Sequence, residues 1–152
     1  MRDILLTVHI LAASVWIGTN AMGFVINPQI NPRASEIASD HWHRAVVGFK
    51  YYLYIPAYVI VLISGVLLVA AVEDSPYEMS DTFVLIGFLA VLVGAVLGMI
   101  YFPSQGGRAG AAYDAGDMEA AASIEKKIAS WSIVDMIVIV VAVVAMVSTW
   151  GV

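Results

Sequence analysis

The chain has 152 residues, of which 61% are hydrophobic and 12% are charged, and its mean hydropathy is +0.89. These values lie outside the range of soluble domains and indicate an integral membrane protein. The net charge of −5 comes without a basic patch, which excludes nucleic acid as a partner, and the lack of cysteine excludes disulfides, thiolate metal sites and iron–sulfur clusters.

Four continuous apolar stretches are each close to the ~20 residues that a helix needs to cross a bilayer. They cover about residues 4–26, 47–72, 83–102 and 133–150. Because they lack the period-two alternation of barrel strands, they predict α-helices. The predicted fold is all-α, an integral membrane four-helix bundle that residues 1–152 form as a single domain.

The first stretch carries polar side chains along one narrow face. We interpret it as a helix rather than a cleaved signal peptide, because the apolar run is long and its small residues lie in the middle. At about 100° per residue, Trp16, Asn20 and Asn27 all lie within about 20° of His9. This polar and small face is expected to contact protein or a cofactor, while the opposite face contacts lipid.

The second stretch also has one polar and small face. Lys50 and Tyr54 share a line with Ala57 and Ser64 at about 100° per residue. Pro56 lacks the amide hydrogen that a helix interior needs, so we expect it to kink this helix and to free a backbone carbonyl.

Glycines mark one face of the third stretch, at Gly87, Gly94 and Gly98. Gly94 and Gly98 form a GxxxG pair, which predicts close packing of two backbones, either within the bundle or between subunits. Residues 103–117 are rich in Gly and Ala, so we expect a flexible loop after this helix.

The fourth helix is predicted to begin well before the fourth apolar stretch. Asp117 is a suitable N-cap for the amphipathic turns that follow it, so a long helix is expected to extend from the bilayer into the cytoplasm. Asp135 and Met146 lie on its polar or small face. Asp135 and Lys50 lie at similar depths, which predicts either an ion pair or two side chains that each reach the membrane interface.

The distribution of charge predicts the orientation of the chain. Six of the seven basic residues fall on the side of the first and third loops, and Arg2 alone falls on the other side. The positive-inside rule therefore places both termini outside the cytoplasm, in a multi-pass protein of the cell inner (plasma) membrane.

His9 is the residue that points most directly to a cofactor. A histidine on a small-residue face near one membrane boundary is typical of a ligand to b-type haem, and Met146 lies at a comparable depth as a second axial ligand. In this hypothesis Trp16 and Asn20 line the pocket. The alternative is that His9 donates one hydrogen bond to a neighbouring helix and stabilises the bundle.

Two further histidines lie elsewhere. His41 and His43 fall on the cytoplasmic side, beyond the reach of an iron bound by His9. With Asp40 they form a weak metal-ligand pattern, because residues two apart on a helix do not share a face. We interpret them as interfacial residues near Trp42.

The opening motif, a histidine followed at seven residues by Trp-x-Gly, resembles the first helix of small four-helix membrane proteins in the CopD-like and HemJ-like group. Here the motif is His9, Trp16 and Gly18 within LLTVHILAASVWIGTN. The segments LGMIYFPSQGGRAG and IEKKIASWSIVDMIVIVVAVVAMVSTWG are similar to a membrane family of unknown function that shares this opening. The HemJ-like resemblance implies haem b at His9 and protoporphyrinogen oxidation, whereas the CopD-like one implies copper uptake.

The residues of this chain do not match the full site of either group. HemJ-like proteins also use a lysine in a later helix, and the candidate here, Lys50, lies at the opposite membrane boundary from His9. The additional histidines and methionine clusters of CopD-like proteins are missing from this sequence. The resemblance therefore implies a haem site without reproducing either full site.

Three functions stay open from the sequence. The first is a b-type haem-binding protein in electron transfer or a redox step, with the haem near the extracytoplasmic side. The second is a carrier or channel for a small solute or metal ion along the face of His9 and Asn27. The third is a scaffold or accessory subunit of a membrane complex. The GxxxG ridge also predicts a homo-oligomer or membership of such a complex.

Overall fold

The computed structural model describes residues 1–30, 41, 44–45, 48–73 and 75–150; the side chains of 23–24, 26–30 and 50 lie outside the description. The described residues are helical apart from connecting turns, and no strand occurs among them. Within these ranges, four helices are long and apolar enough to cross a membrane. The predicted all-helical fold with four candidate spans is confirmed.

The helices overlap the apolar stretches that predicted them. Helix α1 is Arg2–Ile30. Helix α2 joins a π-helical turn, Lys50–Tyr54, to an α-helix, Ile55–Ala70. Helix α3 consists of Thr82–Ala95, a π-helical turn at Val96–Tyr101 and a final α-helical part at Phe102–Asp114. Helix α4 is Met118–Val147.

Consecutive helices pack side by side in an antiparallel bundle. α1 contacts α2 and α4, and α3 contacts α4 and α2. The antiparallel course is visible between α1 and α2, because His9 contacts Ser64 while Trp16, later in α1, contacts Tyr54, earlier in α2. This up-down-up-down order is the arrangement that short connections between helices favour.

The outer surface of the bundle is strongly apolar. Large hydrophobic side chains of α3 and α4 are exposed there, including Leu85, Leu89, Leu92, Ile137 and Val140. The inward face of α3 carries small residues instead, such as Gly87, Ala90 and Gly94. An apolar outside around a small-residue inside is compatible with a multi-pass membrane protein, since lipid tails solvate the outer side chains.

Both π-helical turns end two residues before a proline. The turn Lys50–Tyr54 precedes Pro56, and the turn Val96–Tyr101 precedes Pro103. A proline lacks the backbone N–H that would close the regular hydrogen bond to the preceding turn, and its ring crowds that turn, so the helix widens there. The distortion predicted at Pro56 therefore takes the form of a π-helical turn.

The flexible loop predicted over residues 103–117 is wrong. α3 continues through most of it and ends at Asp114. The small residues that suggested flexibility are the reason for the helix, because Ala109 and Ala112 pack closely against Ala121 of α4. α3 and α4 therefore form a helical hairpin that is longer than a bilayer requires, with α4 extending over 30 residues.

One short turn connects the two helices of the hairpin. Gly116 has a positive φ of 70°, which favours glycine, and its N–H donates to the Tyr113 carbonyl at 3.0 Å. The Asp117 N–H donates to the Ala112 carbonyl at 2.9 Å, which completes a Schellman motif. The Asp117 carboxylate then accepts a hydrogen bond from the Ala120 N–H at 2.9 Å. The predicted N-cap is confirmed.

Candidate functional site

A buried hydrogen-bond network surrounds Asp135 of α4, whose side chain is 0% exposed. The Asn20 amide, from α1, donates to Asp135 Oδ2 at 2.6 Å. The Tyr54 hydroxyl, from α2, lies 3.0 Å from the same oxygen. We call Asp135, Asn20 and Tyr54 the Asp135 network. A carboxylate buried in this way is costly unless it accepts hydrogen bonds, and α1 and α2 each supply one donor.

The Tyr54 hydroxyl also contacts the third helix of the bundle. Its oxygen lies 3.1 Å from the Gly94 carbonyl of α3. Tyr54 is only 1% exposed, so its hydroxyl must find its partners within the protein. A hydroxyl has a single hydrogen, and here two acceptors lie within reach of it.

The three glycines predicted as helix-packing positions each receive a side chain from another helix. An added Cβ at Gly94 would overlap the Trp16 ring, one at Gly98 would overlap the Tyr54 ring, and one at Gly87 would overlap the Met146 methyl. The GxxxG pair therefore accommodates two aromatic rings of the same chain rather than a second backbone. The homo-oligomer or membrane complex stays a prediction. The Gly94 and Gly98 face no longer supports it, because side chains of the same chain already cover both glycines.

Trp16 lies between the Asp135 network and a cavity at the other end of α1. Its side chain is 3% exposed, and its ring meets the Tyr54 ring edge-on with centroids 6.0 Å apart. The indole Nε1 makes no hydrogen bond with the described residues. Trp16 also lines the cavity, so the same side chain borders both regions.

The cavity, which we call the His9 cavity, has a volume of about 490 Å³ and lies between all four helices of the bundle. His9, Trp16 and Met146, three of the four residues predicted to bind a cofactor, line it. The rest of its wall is mostly aliphatic and aromatic, with Leu6, Ile10, Val66, Val69, Phe88 and Val143 among its members. Asn20, the fourth predicted residue, lies in the Asp135 network instead.

The orientation of the His9 ring follows from its contact with α2. Nδ1 lies 3.0 Å from the Ser64 hydroxyl, which itself donates to the Ile60 carbonyl at 2.5 Å. Because that hydroxyl uses its hydrogen on Ile60, it accepts from His9, and the ring proton belongs on Nδ1. Gly65 packs against the Cε1 edge of the ring, where a Cβ would come within 3.2 Å. Nε2 is then the unprotonated nitrogen.

Several predicted polar residues lie outside the described side chains. Asn27 belongs to α1 and Lys50 opens α2, but the structure describes neither side chain. The predicted pairing of Lys50 with Asp135 therefore stays a prediction. Asp40 and His43 are outside the described residues altogether, so the weak metal-ligand pattern with His41 is not tested. Among the described residues, no group of three or more His, Cys, Asp or Glu side chains is placed to hold a metal ion.

The connection between Asn20, Tyr54 and Asp135 was missed in the sequence, although each residue was identified there as intramembrane and polar. A usable signal is present: the spacing from His9 to Asn20 equals the spacing from Asp135 to Met146. In antiparallel helices, equal spacings place both pairs at matching depths. Arg2, at the rim of the cavity, and Ser64 and Gly65, beside His9, were also not assigned a role.

Comparison of the chain with protein-family models, with curated proteins and with solved structures finds no match in any of the three. The resemblance of the first helix to the CopD-like and HemJ-like group accordingly stays a prediction. What the protein does must be inferred from its own residues.

Proposed function

We propose that this protein binds haem b in the His9 cavity, where His9 would hold the iron, and takes part in electron transfer or a redox step. The observation that supports this most is the fixed orientation of the imidazole. Metal-binding histidines usually donate their second ring N–H to a protein oxygen, which sets the tautomer. Ser64 supplies that oxygen, and Nε2 remains as the coordinating nitrogen.

The cavity suits a large apolar cofactor. Its volume of about 490 Å³ lies within the roughly 300–1,000 Å³ that such sites usually have. Among the described residues that line it, Arg2 alone carries a formal charge, and its side chain is exposed. A guanidinium at the rim is suited to pair with the carboxylates that haem carries at its edge.

Met146 is the candidate for a second residue that would hold the iron. It lines the same cavity as His9, and its methyl group lies against α3 at Gly87, where no Cβ obstructs it. His/Met ligation occurs in cytochromes and raises the reduction potential of the iron. Bound haem would supply one-electron chemistry, and the residues of this chain would hold it, exclude water and set its potential.

The proposed orientation follows from the charges. The His9 cavity then lies toward the extracytoplasmic side of the plasma membrane, and both termini face that side. The hairpin of α3 and α4 extends into the cytoplasm. In support, the hairpin carries two adjacent lysines, Lys126 and Lys127, and an arginine, Arg108, all of which are exposed.

The test is an absorption spectrum of the purified protein, oxidised and then reduced with dithionite. The expected result is a Soret band that shifts on reduction and is lost in His9→Ala. His41→Ala is the matched control, because His41 is exposed and does not line the cavity. Circular dichroism would establish that both variants keep their helices.

A colourless protein, purified with an adequate supply of haem, would contradict this proposal. It would favour the carrier or scaffold alternatives, with His9 as a residue that holds α1 against α2. A band that persists in His9→Ala would contradict the assignment of the ligand while leaving haem binding in place.

A further inference from the structure

We propose that the Asp135 network is a proton-binding site within the bundle, at which Asp135 alternates between carboxylate and carboxylic acid. The ligand is a single proton, and the reaction is its addition to Asp135 Oδ2 to give the neutral acid. A linked part of the proposal, which rests on the proposed function, is that reduction of the group in the His9 cavity drives this uptake.

The geometry of the network accommodates both protonation states. In the ionised state, Oδ2 accepts hydrogen bonds from Asn20 at 2.6 Å and from the Tyr54 hydroxyl at 3.0 Å. In the neutral state, the new hydrogen on Oδ2 donates to Tyr54 Oη, and the tyrosine hydrogen turns to the Gly94 carbonyl at 3.1 Å. The change requires the added proton on Oδ2 and a rotation of the Tyr54 hydroxyl hydrogen toward the Gly94 carbonyl, and both acceptors already lie within hydrogen-bond distance of Tyr54 Oη.

Asn20 has a positioning role in both states. Its amide nitrogen can only donate, so it holds Oδ2 in place whether or not that oxygen carries a proton. Tyr54 is the residue that switches, because a hydroxyl donates and accepts.

The side chains with a hydrogen bond to Asp135 come from two other helices, Asn20 from α1 and Tyr54 from α2. The third, α3, contributes the Gly94 carbonyl, which contacts the Tyr54 hydroxyl. Lys50 begins the same helix as Tyr54, one turn away, and is the further titratable residue that the test must control. Glu125 is also buried, but it lies in the hairpin of α3 and α4.

Trp16 links this site to the His9 cavity. Its ring packs on Tyr54 and on Gly94, and it also lines the cavity. A charge that appears on one side of this indole changes the electrostatic potential on the other, because the Trp16 side chain is 3% exposed and a buried apolar ring screens charge weakly. If a one-electron donor reduced a group held in the cavity, uptake of one proton from the aqueous phase by Asp135 would keep the local charge constant.

Infrared difference spectroscopy of the full chain in lipid nanodiscs tests the site. Titration from alkaline to acidic pH should produce the C=O band of a protonated carboxylic acid, with a shift in D₂O. The band should be lost in Asp135→Asn and retained in Glu125→Gln, which removes the other carboxyl that is buried among the described residues. In Tyr54→Phe it should move to higher wavenumber, because the acid proton loses its acceptor.

Two results would overturn the proton site. One is a band that is absent from the wild type and appears only in Lys50→Gln, since Lys50 would then hold Asp135 permanently ionised. The other is a band unchanged in Tyr54→Phe, since the hydrogen-bond chain would then have no part in it.

The link to reduction is tested separately. In protein with a Soret band, reduction with dithionite should increase the Asp135 band at constant pH, and Asp135→Asn should remove that increase. An unchanged band would overturn the link while the haem proposal stands. A colourless protein would overturn the link together with the haem proposal, while the pH titration would still decide the proton site.

Discussion

The interior of the bundle differs between two levels along α1. We call them the packed level, around Asn20, and the cavity level, around His9. Around Asn20 the interior is closely packed, and the Trp16 and Tyr54 rings contact glycines of α3. At the same level the Asp135 carboxylate accepts hydrogen bonds. Around His9 the helices leave a cavity of about 490 Å³ with apolar walls. Gly94 and Gly98 of α3 thus receive aromatic rings at the packed level, whereas the same helix borders an apolar cavity at the other level.

The largest expected loss of stability comes from filling the glycine positions of the packed level. Gly94→Ala and Gly98→Ala place a methyl group against the Trp16 and Tyr54 rings, and each is expected to destabilise the protein by about 1–3 kcal/mol. The measurement is thermal unfolding in detergent, followed by circular dichroism.

The same glycine-to-alanine substitution is expected to stabilise the protein elsewhere in α3. Among the described residues, no side chain and no neighbouring helix comes within 4 Å of the position that a Cβ would take at Gly107. Gly107→Ala should therefore gain up to about 1 kcal/mol from helix propensity alone. Equal changes in stability for Gly94→Ala and Gly107→Ala would contradict the close contact between Gly94 and the Trp16 ring.

Removing a hydroxyl from the packed level is expected to cost somewhat less. Tyr54→Phe keeps the ring but takes a hydrogen bond from the buried Asp135, for a loss of about 1–2 kcal/mol. Tyr52→Phe is the control, because Tyr52 is two positions away and 82% exposed. A melting temperature that falls equally in both variants would show that the network contributes nothing to stability.

At the cavity level, a change of side chain should affect binding more than stability. Met146→Leu preserves volume and should cost less than about 1.5 kcal/mol, while the absorption spectrum of the reduced protein should change if Met146 is a ligand. Met118→Leu, on an exposed position of the same helix, is the control. An unaltered spectrum in Met146→Leu would exclude this residue as the second ligand.

The smallest effect is expected at a surface ion pair outside both levels. Arg44 and Asp114 are 2.8 Å apart, with side chains 59% and 67% exposed. Solvent screens such pairs, so Arg44→Met should change the unfolding free energy by less than about 0.5 kcal/mol. If Arg44→Met lowered the unfolding free energy as much as Tyr54→Phe does, the exposed ion pair would contribute as much as the buried hydrogen bond between Tyr54 and Asp135, which would contradict this prediction.

The sequence predicts the architecture better than it predicts the site. Apolar length alone identified the spans, because crossing a bilayer imposes a minimum run of hydrophobic residues. The sequence-based prediction was wrong at residues 103–117, where the Gly and Ala content alone indicates a flexible loop. Helix packing reverses that expectation, since Ala109 and Ala121 allow α3 and α4 to approach closely.

The candidate site was predicted in part. Helical periodicity placed His9 and Trp16 on one face with Asn20, and the structure assigns the first two to the cavity and the third to the Asp135 network. Periodicity gives the direction of a side chain around one helix, but not the neighbours that other helices bring to the same depth. Tyr54 and Asp135 became partners of Asn20 only once α2 and α4 were in place.

The most direct test of the haem proposal is a titration of haem into protein purified from a haem-deficient host. The proposal predicts saturable binding of one haem per chain, with a Soret band that develops in the wild type and in His41→Ala but not in His9→Ala. The absence of saturable binding to the wild type, or equal binding by wild type and His9→Ala, would contradict it.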